Sequence, residues 1–128
     1  MDVRSHNRTA WDRNVDDGNR WTQAVSTKAV NDARDGRFEI LLTPRKPVPM
    51  EWFPDLGGLS TLCLASAGGQ QAPILAAAGA NVTVFDNSPK QLEQDHYVAQ
   101  RDGLKIQTEE GNMADLSRFP DDAFGLIF

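Results

Sequence analysis

Thr61-Leu62-Cys63-Leu64-Ala65-Ser66-Ala67-Gly68-Gly69-Gln70 and, one helix length later, Asn81-Val82-Thr83-Val84-Phe85-Asp86-Asn87-Ser88-Pro89 decide how this chain is built. Each begins as a short apolar, β-branched run, which reads as a buried strand. The first, residues 61–65, lies between the glycine pairs Gly57-Gly58 and Gly68-Gly69. Between the two strands, Gln71 to Ala78 is apolar and alanine-rich. It fits a buried helix, with Pro73 tolerable only in the first turn and Gly79 as its cap. The second strand, 81–85, runs directly into Asp86.

Working outward, Ser88 to Gln91 reads S-P-K-Q, a capping box with proline at the first helical position. Leu92, His96 and Ala99 are expected on one face of that helix, which Gly103 ends. Residues 104–108 predict a third strand and 124–128 a fourth. The order β-α-β-α-β-loop-β predicts an α/β domain, a Rossmann-like parallel sheet with helices on both faces, of about four strands. Upstream, residues 1–42 read as helical and polar, with an apolar stripe through Ala24, Val25, Ala29, Val30 and Ala33 and a stop at Gly36. Prolines at 44, 47 and 49 then exclude helix interior or central strand. The expected organisation is a helical cap and proline-rich connector over 1–50 and the α/β domain over 51–128.

With 40% hydrophobic residues, the 128-residue chain is no disordered tail. A formal charge of −5 disfavours nucleic acid as partner, because phosphate binding needs a basic face. Cys63 is the only cysteine, so no internal disulfide forms. The polar N-terminus lacks the apolar core of a signal peptide, and no apolar run is long enough to span a bilayer. These features lead to the expectation of a cytoplasmic protein without membrane contact. His6 and His96 offer no metal spacing, and no Ser/His/Asp or zinc pattern occurs.

Three loops carry candidate chemistry. Ala65-Ser66-Ala67-Gly68-Gly69 joins strand to helix; small residues let a ligand approach the main chain, and the next helix offers N–H groups and its positive dipole end. An unliganded tight turn fits the same residues. Asp86 follows at the interval of about 20 residues at which an acid accepts ribose hydroxyls in doubly wound folds. It is equally placed as an acid at a helix N-terminus. Gly111-Asn112-Met113 can bracket an adenine or be an ordinary loop.

Taken together, T-L-C-L-A-S-A-G-G-Q, V-T-V-F-D-N-S-P-K-Q-L and E-E-G-N-M-A-D-L-S-R-F-P-D-D-A-F-G-L-I-F resemble the first four blocks of class I S-adenosylmethionine-dependent methyltransferases, in order, over residues 60–128. A nicotinamide-type G-x-G-x-x-G is not matched, since its last position is Gln70. The resemblance implies S-adenosylmethionine as cofactor and S-adenosylhomocysteine as product. It matches Ala65, Ser66, Ala67, Gly68 and Gly69 to the loop beneath the methionyl part, Asp86 with Asn87 and Ser88 to the ribose site, and Asn112 and Met113 to the adenine side. The preface resembles a cap helix of small-molecule members, with Trp11 or Trp21 as a covering aromatic; the alternative is that both pin the preface to the core. No residue is assigned as catalytic base, and no metal is implied.

Departures from the family pattern are Cys63 in place of an acid, Ala65 and Ala67 in place of glycines, and Gly125 in place of an aspartate. Alanine is expected to forbid the positive φ that glycine allows, and Cys63 to be a small buried core residue. The family fold has seven strands in the order 3-2-1-4-5-7-6, of which four are visible here. The chain is therefore expected to be a truncated form lacking part of the acceptor site, with a bare fourth-strand edge open to homodimer formation. The acceptor is expected to be a small molecule rather than nucleic acid. The alternative is a non-catalytic nucleoside-binding or interaction module with a vestigial methyltransferase fold.

Overall fold

The computed structural model describes residues 2–128. Its elements are α1 (Val3–Asp16), α2 (Thr27–Arg34), β1 (Leu41–Thr43), β2 (Lys46–Pro47), β3 (Ser60–Leu64), α3 (Gln71–Ala77), β4 (Asn81–Asp86), α4 (Pro89–Asp102), β5 (Ile106–Glu110) and β6 (Leu126–Ile127). Short 3-10 turns lie at Arg20–Thr22 and Met50–Trp52. Among the described residues, no helix is long and apolar enough to cross a membrane.

The predicted sheet forms. Four strands pair in the order β5-β4-β3-β6, and every pairing is parallel. In the family's numbering of strands this is 3-2-1-4. Leu64 stands beside Phe85, and Asp86 beside Glu110, so three strands end level. The links β3-α3-β4 and β4-α4-β5 step in the same direction across the sheet, and right-handed crossovers then place both helices on one face. Cys63, Val82 and Val84 on that face share a core with Ala72 and Leu75 of α3 and Leu92 and Val98 of α4. The sequence reading put helices on both faces; in the described residues the opposite face is covered by segment 111–125 instead. There Phe85 meets Phe119 edge-on at 5.3 Å, and Phe119 meets Phe124 at 5.4 Å.

α4 follows its sequence signals closely. Ser88 Oγ accepts from Gln91 N, Pro89 opens the helix, and Gly103 closes it in the left-handed conformation. Leu104 N completes that cap on Ala99 O, which delays β5 to Ile106 rather than the expected 104. The buried face differs from expectation: it is Gln91, Leu92, Asp95, Val98 and Ala99. His96 is exposed and pairs with Thr108 Oγ1 at 2.9 Å.

The preface is more broken than one helical stretch. Gly18 and Asn19 separate α1 from the first 3-10 turn. Leu41 and Leu42, expected to be helical, instead form with Thr43 a strand that pairs antiparallel with 46–47 across a turn held by Thr43 Oγ1. Pro47 is accepted because this two-stranded hairpin asks no ladder N–H of it. Val30, Ala33, Ile40 and Val48 join the same core as the sheet. By contrast, α1 buries none of its residues. It lies against the head of α4 through polar ties: Ser88 Oγ donates to Asp12 at 2.6 Å, Lys90 pairs with Asp16, and Arg4 and Asn87 exchange two hydrogen bonds of 2.9 Å.

Candidate functional site

The carboxyl ends of β3, β4 and β5 bring the three loops of the sequence reading together. Ala65 N donates to Phe85 O, and Gly111 N to Asp86 O, so the starts of all three loops are stitched side by side. Ala65, Asp86, Asn87, Asn112 and Met113 line one cavity of about 310 Å³, closed on its outer side by Arg4, Asn7 and Trp11 of α1. A smaller cavity of about 120 Å³ adjoins it, lined by Trp11, Trp21, Ala65, Ala67, Asp86 and Gln91. A more voluminous concavity, about 710 Å³, is a shallow groove that includes Ser60, Asn81 and Lys105 at the opposite ends of the strands and none of these site residues.

The loop after β3 is shaped by α4. Gly68 N donates to Gln91 Oε1 at 2.6 Å, and Gly69 N to Asp95 Oδ1 at 2.8 Å. Both N–H groups are taken up by side chains on the buried face of α4. α3, only seven residues long, has no side-chain cap. Gly68 and Gly69 are thus supports of the loop, not walls of either cavity. Ser66 is also outside both; it is buried, and its Oγ has no hydrogen-bond partner among the described residues. Ser88 is 1% exposed and engaged by the α4 cap and Asp12, whereas Asn87 keeps a place in the larger cavity.

Ala65 and Ala67 overturn the expectation that alanine would refuse a left-handed backbone. Their φ angles are 48° and 55°. The loop route is imposed by strand pairing behind and α4 in front, and the alanines accept strain of roughly 1 kcal/mol each. Ala65→Gly and Ala67→Gly are therefore expected to raise stability by about 0.5–1 kcal/mol apiece, a rise of a few degrees in Tm. Thermal unfolding checks this; a lower Tm in both variants would show the loop unstrained.

Three carboxyl groups gather here. Burial pushes the Asp86 carboxyl up, against the hydrogen bonds from Ser88 N and Asn87 N, and Asp12 adds to the rise. Burial pushes Asp95 up to about 7, opposed by the Gly69 N–H and reinforced by Asp86. Because the folded chain holds the Asp95 proton more tightly than the unfolded one, its stabilising contribution is full below about pH 4 and is lost as pH rises to about 7. Asp95→Asn keeps an acceptor for Gly69 but no longer titrates. It is expected to flatten the decline in stability between pH 4 and 7 and to gain about 1 kcal/mol at pH 8, the new amide hydrogens limiting the gain. Urea midpoints measured across pH decide this; an unchanged profile would place the titration elsewhere. Cys63 is fully buried, and burial, helped by Asp95, lifts its thiol to about 12, so it is a core residue and not a nucleophile.

Trp11 is 45% exposed and Trp21 half-buried, and neither is among the core residues. Both instead line the smaller cavity. The sequence reading missed Gln91 and Asp95, although their four-residue spacing within an apolar stripe placed two polar groups on a buried face. It also missed Arg4, Asn7 and Asp12, which carry no signal beyond lying on the face of α1 that holds Trp11.

A family model described as "Methyltransferase domain" matches residues 62–128. The chain is 55% identical over 123 residues to "Uncharacterized methyltransferase YbaJ" of Bacillus subtilis (strain 168), covering 96% of this chain and 48% of that protein. It thus spans about half the length of the curated relative it matches.

Proposed function

Because this chain belongs to the class I S-adenosylmethionine-dependent methyltransferases, we propose that the two joined cavities bind S-adenosylmethionine and serve methyl transfer to a small molecule. The observation that carries the reading is the convergence of Ala65, Ala67 and Asp86 at the carboxyl ends of adjacent parallel strands. The residues present fit the group. Asp86 Oδ1 is fixed by Ser88 N at 2.8 Å, which leaves Oδ2 to accept ribose hydroxyls. Asn112 and Met113, which line the larger cavity with the apolar ring of Phe85, would hold the adenine, and the Ala65–Ala67 turn would carry the methionyl part.

When bound, the cofactor supplies a methyl group activated on a sulfonium. The chain's own contribution is to orient and to exclude water. Asp86 would hold the ribose end, Arg4 and Asn87 tie α1 to the rim of the larger cavity, and Trp11 and Trp21, which line the smaller one, would cover the bound group. The net acidity of the chain supports a small-molecule acceptor over nucleic acid, and a single buried thiol agrees with a cytoplasmic setting.

Incubation with methyl-tritiated cofactor and a cell extract, followed by size fractionation, tests the reading. Label is expected in small molecules. Label in nucleic acid overturns the acceptor class, and cofactor binding with no transfer to any fraction, by this chain or by one of the relative's full length, favours the non-catalytic module.

A further inference from the structure

We propose that Gln91 is a second residue that selects a ribonucleoside: its Nε2 donates to the oxygen of a hydroxyl whose hydrogen Asp86 accepts. The inference rests on the cofactor reading above. Gln91 lies in the first turn of α4, is 3% exposed, and lines the 120 Å³ cavity with Asp86. Its carboxamide is oriented by the loop. Gly68 N can only donate, so the atom it meets at 2.6 Å is Oε1. Nε2 is thereby turned away from Gly68, and it has no acceptor among the described residues. Among those residues Ser66 Oγ is the one fully buried polar side-chain atom without a partner. Nε2, equally unpartnered, is therefore not sealed in, and the space that reaches it is the cavity Gln91 lines.

The polar groups of this cavity decide what Nε2 meets. Asp86 Oδ1 is engaged by Ser88 N, which leaves Oδ2 as an acceptor, and Gln91 Nε2 is a donor only. The other lining residues, Trp11, Trp21, Ala65 and Ala67, carry no side-chain acceptor. A ligand group that answers both Asp86 and Gln91 must give one hydrogen and take another. An ammonium gives but cannot take, and would leave Nε2 unpaired. A carboxylate takes but cannot give, and would lie beside the Asp86 charge, which burial and Asp12 already oppose. A hydroxyl does both through one oxygen. The buried amide hydrogens, costly when left unpaired, then find their acceptor when ribose is bound. The same amide holds Gly68 N, so recognition of the sugar and the shape of the loop pass through one side chain.

The test uses the full chain and Gln91→Met, with calorimetry on S-adenosylhomocysteine, its 2′-deoxy and 3′-deoxy analogues, and 5′-methylthioadenosine, which lacks the amino-acid end. Gln91→Met is expected to weaken S-adenosylhomocysteine and 5′-methylthioadenosine about tenfold each, and at least one deoxy analogue less than about twofold, because the hydroxyl that the amide served is already gone. The quantity read is the ratio between ribose and deoxyribose ligands, which a mere loss of loop support leaves unchanged. An equal fall for all ligands, or unchanged affinity for S-adenosylhomocysteine, overturns the proposal. A fall for S-adenosylhomocysteine without one for 5′-methylthioadenosine places the amide at the amino-acid end and overturns it as well. If Gln91→Met does not fold, the unaltered chain decides. Its Gln91 side-chain amide NMR signals are expected to shift on saturation with S-adenosylhomocysteine and to move far less with one of the deoxy analogues; equal shifts with all three overturn the proposal. These outcomes leave the cofactor reading standing. Failure of S-adenosylhomocysteine to bind the unaltered chain removes that reading and the Gln91 assignment with it.

Discussion

Asp86→Ala is expected to weaken S-adenosylhomocysteine binding roughly 100-fold without lowering the stability of the chain. The carboxylate would accept two hydroxyl donors in a half-buried cavity, and charge-assisted hydrogen bonds contribute about 1.5 kcal/mol or more each. Losing both costs about 3 kcal/mol of affinity. Stability behaves differently because Asp86 is electrostatically uncomfortable. Its charge is opposed by burial and by Asp12, and it raises Asp95 in turn. Removing it relieves both neighbours and offsets the lost hydrogen bond to Ser88 N. The same logic predicts that affinity of the unaltered chain declines on acidification at a higher pH than an ordinary aspartate would dictate. Calorimetry paired with thermal unfolding separates the outcomes. Unchanged affinity, or unfolding without a change in affinity, would return Asp86 to a structural role at the head of α4.

Gly68→Ala is expected to destabilise the chain by about 3–5 kcal/mol, a fall in Tm of more than roughly 10 °C. A Cβ at this position would lie 2.3 Å from Gln91 O and 2.6 Å from Gln91 Oε1. The first of these is backbone within α4 and cannot rotate away. Relief requires the loop to lift from the helix, which breaks the Gly68–Gln91 and Gly69–Asp95 hydrogen bonds and leaves a buried carboxyl without its donor. Urea denaturation checks the expectation; a midpoint within 0.5 kcal/mol of the parent, on the order of a neutral surface change, would mean the loop is free to move.

Particular residues show why much of this was legible and some was not. Local signals sit within a few residues of what they specify. Ser88-Pro89 and Gly103 bounded α4, and the β-branched run 81–85 ended where Asp86 begins its loop. That the strands run parallel followed from alternation, and their order from the family resemblance. What escaped depends on partners distant in sequence. Asp95 is one helix turn beyond Gln91, but its role as acceptor for Gly69 N exists only once α4 packs on the loop. The positive φ of Ala65 and Ala67 likewise comes from packing that overrides residue preference. The preface hairpin was hidden because two- and three-residue strands leave no period to read. α1 gave its position away least, since it is held over the site by polar ties and not by an apolar stripe.

The central claim is that one continuous space beside Ala65, Ala67 and Asp86 holds an adenosyl group. A ¹⁵N–¹H NMR titration of the unaltered chain with S-adenosylhomocysteine tests it most directly. The account predicts saturating shifts that titrate together at residues 65–67, 86–87 and 112–113 and at the Trp11 indole, with Ser60, Asn81 and Lys105 unmoved. Saturating shifts confined to that far groove, or none at all, would contradict it.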